Sequence, residues 1–135
     1  MDKKCVFCKI VNEEAPANLV YEDDDNIAFL DINPVSLGHT LILPKRHHEN
    51  LLETPLPEIN LTFIAVYKIA KAITTVVGAP AFRVVINNGR EAGQVVYHFH
   101  VHVIPYFEKG TGFPEGKVSK EELKSVADKI REVVK

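Results

Sequence analysis

The chain has 135 residues, of which 46% are hydrophobic and 25% charged, with a formal net charge of −2. This length is close to the commonest size of one domain, so we expect a single domain over residues 1–135. The near-neutral charge argues against a duplex-binding protein, which usually has a basic stripe. No apolar run approaches the roughly 20 residues of a membrane span and no apolar leader precedes the domain, so we expect a cytoplasmic protein that binds neither nucleic acid nor membrane.

The first half of the chain predicts one short helix or turn and then three strands, in chain order over residues 5–11, 19–22, 26–30 and 39–43. Asp23-Asp24-Asp25 supplies the turn between the first two strands. Pro34 breaks the pattern after the second strand, because a proline and its predecessor rarely continue a strand. Pro44 stops the third.

The second half predicts a helix from residues 55–57 to about 77, strands over 82–87 and 96–104, and a helix over 119–134. Apolar residues recur at helical spacing in the first of these helices, and Gly78 is a natural stop for it. Pro105 should end the last strand. Ser119 and Glu122 have the spacing of a capping box, with Leu123, Val126, Ala127 and Ile130 facing inward. This grouping of elements favours an α+β fold with a mostly antiparallel sheet.

Three histidines alternate with apolar residues in the last predicted strand. Strand side chains alternate between faces, so His98, His100 and His102 should share one face of the sheet. Three interpretations are open: ordinary surface histidines, a three-histidine metal site that could serve a metal-dependent hydrolase, and a nucleophilic histidine with two helpers. A neutral imidazole attacks phosphorus well, and neighbouring histidines can orient it and supply a proton.

The residues before this strand favour the nucleophile. Gly89 and Gly93 bracket a loop in which backbone N–H groups can approach an anion. Gln94 adds a neutral donor for phosphate oxygens, and Asn87 adds another at the end of the preceding strand. The combination suits a phosphate better than a bare metal ion.

The sequence resembles the histidine-triad (HIT) family, and within that family the prokaryotic general, Hint-like group. The segment from Gly93 to Pro105 resembles the triad signature of that family. Further similar segments lie in the same order along the chain, at residues 5–10, 28–34, 38–45 and 87–89. The resemblance runs from Cys5 to about Tyr106.

The resemblance implies a five-stranded antiparallel sheet with one long crossing helix and a C-terminal helix, in a subunit of a homodimer. It implies attack on the α-phosphate of a nucleoside phosphoramidate, an adenylate or a dinucleoside polyphosphate, through a nucleotidyl-histidine that water resolves. The substrate would be a purine nucleotide. The alternative from another functional class is an AMP-binding sensor or scaffold with little turnover.

The resemblance also assigns roles to single residues. His100 is the nucleophile, His102 and Gln94 contact the phosphate, and Asn87 supports it. His98 completes the triad, and His39 stands behind the triad. Asp31 accepts hydrogen bonds from the ribose hydroxyls, a role that two acceptor oxygens suit. The residues expected to line the base pocket are Val6, Phe7, Ile10, Phe29 and Ile32.

Cys5 and Cys8 lie three residues apart, a spacing that in a reducing compartment indicates a metal clamp or a redox pair. A thioredoxin-like pattern is missing around them, and the remaining alternative is a pair of small buried apolar side chains. The resemblance implies a structural zinc ion held by Cys5, Cys8, His47 and His98, with no metal needed for the chemistry. From sequence, His48 is an equal candidate for the third ligand.

One position departs from the family. Val95 stands where the Hint branch carries a serine and the Fhit branch a threonine, so a hydroxyl contact to the phosphate and leaving group is lost. This places the chain nearer the prokaryotic general group and predicts a lower phosphoramidase efficiency.

Overall fold

The computed structural model describes residues 4–134, so the ends of the predicted domain at residues 1–3 and 135 lie outside the described residues. The helices are α1 (Val6–Val11), α2 (Leu56–Val77) and α3 (Lys120–Val133). The strands are β1 (Leu19–Glu22), β2 (Asn26–Leu30), β3 (Thr40–Pro44), β4 (Ala81–Val85) and β5 (Val101–Tyr106). They form one antiparallel sheet in the order β1-β2-β3-β5-β4. The predicted α+β fold, with its five strands, long helix and C-terminal helix, is confirmed.

The helix ends follow from local chemistry. Prolines stand at the start of α2, where a missing N–H costs nothing, and Gly78 ends that helix at a φ of 69°. Ser119 accepts a hydrogen bond from the backbone N–H of Glu122 at 3.3 Å, so the predicted cap of α3 forms. The four residues predicted to face inward on α3 are all buried.

α2 is long and apolar enough to cross a membrane by length and composition alone. Its buried face instead covers the sheet, with Ile69 and Ile73 fully enclosed, and the helix also packs against α3. This is the position of a core helix in a layered domain.

The predicted fifth strand is wrong in its bounds. It was expected over residues 96–104 and to end at Pro105, but β5 begins at Val101 and continues through Pro105 to Tyr106. Pro105 pairs with Phe82 on β4, while β3 reaches only as far as Val103 on the other side. No strand therefore lies on the side where an N–H of residue 105 would point, so a proline is tolerated there. On that side the hydroxyl of Ser36 donates to the carbonyl of Pro105 at 2.6 Å. His98 and His100 lie in irregular chain before the strand.

The sheet is covered on both faces. α2 and α3 pack on one face in the larger apolar cluster. α1 packs on the other, where Phe7, Cys5 and Cys8 contact Phe29 and Leu43. Every residue of β2 and β3 is consequently buried, and the candidate site forms on the α1 face.

Candidate functional site

The three triad histidines have different environments. His98 is fully buried, His100 is 8% exposed, and His102 on β5 is partly exposed. The rings of His100 and His102 are neighbours at 4.9 Å between centroids. His98 turns instead toward the cysteines. A three-histidine metal centre, the alternative considered from the sequence, is therefore not formed.

His100 has one ring nitrogen committed and one available. Its Nδ1 lies 2.6 Å from the carbonyl oxygen of His98, which can only accept, so Nδ1 carries the proton. Nε2 then holds the lone pair. Burial lowers the pKa of His100, although the bond to His98 and the charge of Asp31 act in the opposite sense. The ring is neutral near pH 7, as a nucleophile must be.

A chain of hydrogen bonds fixes the tautomer of His102. The backbone N–H of Val35 donates to Nδ1 of His39 at 3.0 Å, which leaves the proton of His39 on Nε2. That nitrogen lies 3.0 Å from Nδ1 of His102 and donates to it. The proton of His102 therefore sits on Nε2. Burial, with His100 and His39 nearby, lowers the pKa of His102 to about 4.

Asp31 lies beside the same histidines. Its Oδ2 is 3.6 Å from Nε2 of His39, and its Oδ1 accepts the backbone N–H of Asn33 at 2.8 Å. Asp31, His39 and His102 also have the spacing of a metal-ligating group. The lone pair of His102 Nδ1 is already used by His39, however, so the hydrogen-bond chain accounts for their closeness.

A cavity of about 400 Å³ opens onto His100 and His102. Apolar side chains form one part of its lining, and Asp31 and Asn87 are among its polar lining residues. All five predicted base-pocket residues and both of these polar residues line it: Val6, Phe7, Ile10, Phe29, Ile32, Asp31 and Asn87. Ile32 is 73% exposed, which suits the rim of a pocket better than a core position.

The sequence missed other lining residues, namely Pro16, Ala17, Leu30, Asn33, Leu41 and Val96. Leu41 could not be assigned to a face because β3 is apolar on both faces. Val95 also lines the cavity and is 85% exposed, so the position that lacks the hydroxyl does border the cavity.

Gln94 differs from the expectation of a phosphate donor. It is 4% exposed, and its Nε2 donates to the carbonyls of Glu49 at 2.6 Å and Val96 at 3.1 Å. Its Oε1 accepts the N–H of Gly89 at 2.8 Å. Both amide hydrogens are therefore committed, and Gln94 ties the glycine loop to its neighbours in this structure.

The cysteines meet His47 and His98 as the resemblance implied. Nδ1 of His98 lies 3.6 Å from Cys5 Sγ and 3.5 Å from Cys8 Sγ, and Nδ1 of His47 lies 3.2 Å from Cys8 Sγ. All four donor atoms lie within 4.8 Å of one another. His48 turns away and bonds to Glu58 at 2.9 Å, so the structure selects His47.

The chemistry of this donor set fits zinc. Nε2 of His98 lies 2.7 Å from the carbonyl of Pro44 and must donate to it, so the lone pair is on Nδ1, which faces the thiols. Burial lowers the pKa of His98 to about 4, which keeps that lone pair available. Two thiols and two imidazoles are a common tetrahedral set for structural zinc.

The chain is similar in sequence and in structure to known proteins. A sequence model of the HIT domain matches residues 12–109. The chain is 43% identical over 109 residues to an adenylylsulfatase of Arabidopsis thaliana, covering 81% of this chain and 55% of that one. The structure of a hypothetical histidine triad nucleotide-binding protein from Sulfolobus tokodaii superposes with a TM-score of 0.89 at 39% identity, over 96% and 91% of the two chains. A Zn-bound histidine triad family protein from Mycobacterium smegmatis gives 0.86 at 32% identity, over 97% and 93%.

Proposed function

Because the chain belongs to the histidine-triad family, we propose that it is a nucleotide hydrolase or transferase. Its substrates are nucleoside phosphoramidates, adenylates or dinucleoside polyphosphates of a purine. The observation that carries the proposal is the unprotonated Nε2 of His100, which belongs to a ring lining the cavity beside His102. The cavity volume is within the range of small-molecule sites, roughly 300–1,000 Å³.

In the first step, Nε2 of His100 attacks the α-phosphorus and the bond to the leaving group breaks. The ring becomes cationic while Nδ1 keeps its proton, and the carbonyl of His98 stabilises that charge at 2.6 Å. His102 donates its Nε2–H to a phosphate oxygen. His102 stays neutral, because the Nε2–H of His39 occupies the lone pair of its Nδ1, and a departing amine takes its proton from water.

In the second step, water attacks the nucleotidyl-histidine and releases the nucleoside monophosphate, which restores neutral His100. Asp31 binds the ribose hydroxyls and the apolar wall holds the base. Asn87 supports the phosphate. Cys5, Cys8, His47 and His98 would hold a zinc ion, which would supply a structural cross-link.

The test is a panel of adenosine phosphoramidate, lysyl-adenylate and diadenosine polyphosphates, with release of AMP followed by chromatography. An acid or base quench followed by peptide mass spectrometry should locate the nucleotidyl group on His100. If AMP binds but no substrate is turned over faster than in buffer, the enzyme proposal fails. The AMP-binding sensor would then replace it, a role that the exposed Val95 in place of a hydroxyl would favour.

The depressed pKa of His100 predicts activity at mildly acidic pH. The neutral ring is the nucleophile, and a lowered pKa keeps the ring neutral below the ordinary histidine value of 6.5. We therefore expect kcat/KM to fall only at pH values below 6.5. Asp31→Asn should move this acid limb lower still, because the carboxylate favours the protonated rings. An acid limb at or above pH 6.5 in the wild type would contradict the assignment.

We also propose that the protein is a homodimer through α2 and β4. The edge strand β4 exposes Phe82 and Val84, and α2 exposes Ile64 and Tyr67. An open apolar edge and an apolar helix face are rarely left uncovered in a monomer.

Replacing both Ile64 and Tyr67 by lysine should weaken the dimer by about 100-fold or more, because central apolar anchors dominate interfaces. Sedimentation equilibrium measures the change. Glu132→Lys is the matched control, because Glu132 is exposed and lies on α3. It should leave the dimer intact. A wild type that sediments as a monomer would remove the proposal.

A further inference from the structure

The four zinc-binding candidates join three chain segments that also build the active site. Cys5 and Cys8 begin α1, His47 follows β3, and His98 precedes β5. α1 has only six residues, and a helix that short has little stability of its own. Its position on the sheet therefore depends on the contacts that hold it there.

His98 belongs to both sites through different atoms. Its ring lies between the carbonyl of Pro44 and the two thiols. Its own carbonyl oxygen accepts the Nδ1–H of His100 at 2.6 Å. Because ring and carbonyl belong to one residue, anchoring the ring at both nitrogens restricts the backbone that places the carbonyl on the nucleophile.

Phe7 provides a second connection. It lies between the two cysteines in sequence, and its ring meets that of His100 edge-on at 5.0 Å and that of Phe29 at 5.3 Å. Phe7 and Phe29 both line the cavity. A movement of α1 would therefore change the contact on the nucleophile and the shape of the apolar wall together.

We propose that the Cys5–Cys8–His47–His98 site positions the nucleophile and the base pocket, so that zinc occupancy controls AMP affinity and the hydrogen bond of His100. This inference rests on the proposed function for its biological meaning. In it, His98 is a positioning residue that acts through His100, Phe7 connects α1 to the base pocket that it lines, and the metal contacts no substrate.

The experiment compares zinc-loaded protein with protein stripped by a chelator, with zinc counted by elemental analysis. Nitrogen-15 NMR reports the Nδ1–H of His100, and calorimetry reports AMP affinity; neither requires turnover. Stripping should weaken AMP binding by about 10-fold or more, as a small misplacement of a site does. It should also shift or broaden the His100 signal. Added zinc should restore both.

Cys8→Ser should behave as stripped protein that zinc cannot rescue. His48→Ala is the matched control, because His48 is adjacent to His47 but its side chain bonds to Glu58. It should retain zinc and bind AMP normally. If loss of zinc unfolds the chain by circular dichroism, Phe7→Leu tests the same connection in loaded protein. It should keep one zinc and shift the His100 signal; its AMP affinity does not count as a test, because Phe7 itself lines the cavity.

Unchanged AMP affinity and an unchanged His100 signal in folded, stripped protein would overturn the proposal, and so would a protein that takes up no zinc. A loaded protein that binds AMP in this zinc-dependent way without any turnover would leave the positioning role intact and reject the proposed enzyme. The two failures are thus distinguishable.

Discussion

Replacing His100 by alanine is expected to lower kcat by about 10⁴-fold or more, the scale on which enzymes lose activity with their nucleophile. AMP should still bind, because Asp31, Asn87 and the apolar wall are intact. The quench experiment should find no nucleotidylated peptide in the variant. Steady-state kinetics and calorimetry measure the two effects separately.

His102→Ala is the informative comparison. His102 donates a hydrogen bond to the phosphate but does not form the covalent bond, so its loss should cost about 10²–10³-fold, as removal of one oxyanion donor does, and the intermediate should remain detectable. Thermal melts check that both variants are folded. A His100→Ala protein that retains more than a few per cent of turnover would exclude His100 as the nucleophile.

Replacing Asp31 by alanine is expected to weaken AMP binding by about 10- to 100-fold, equal to roughly 1.4–2.8 kcal/mol. The carboxylate lines the cavity, and charged acceptors make the stronger hydrogen bonds to hydroxyl donors. Dideoxy-AMP, which lacks both ribose hydroxyls, should bind wild type weakly and should lose little more in the variant. Calorimetry over this two-by-two cycle isolates the contact.

Asp24→Ala is the control for charge, because Asp24 lies exposed in the turn between β1 and β2, away from the cavity lining. It should leave AMP affinity unchanged. Equal losses for AMP and dideoxy-AMP in the Asp31 variant would contradict ribose recognition and leave Asp31 with only its electrostatic effect on the histidines.

Element types followed from local chemistry, and so could be predicted. The proline-started, glycine-ended pattern of α2 and the Ser119 cap of α3 are both determined by neighbours in sequence. The start of β5 was not predictable in this way. Alternation extended the strand back through His98, yet strand pairing requires a partner, and β3 pairs with β5 only over Val101–Val103.

In the candidate site too, the residue types could be predicted but the orientation of their side chains could not. The resemblance predicted the residues, but the direction of each ring depends on atoms from distant segments. One example is the carbonyl of Pro44, which accepts the Nε2–H of His98. Gln94 is the clearest example. Its residue type suits a phosphate donor, whereas its amide is occupied by the carbonyl of Val96 and by that of Glu49, which lies 45 residues away and belongs to no motif.

The hydrogen-bond chain that ends at His102 begins at a main-chain amide. An amide N–H neither loses its proton nor accepts one at ordinary pH, so it imposes one orientation on both rings that follow. This orientation depends on the backbone N–H of Val35, a residue that is 51% exposed. The side chain at position 35 can therefore vary widely at little cost to the chemistry. A proline there would remove the N–H that, through His39, keeps the proton of His102 on Nε2.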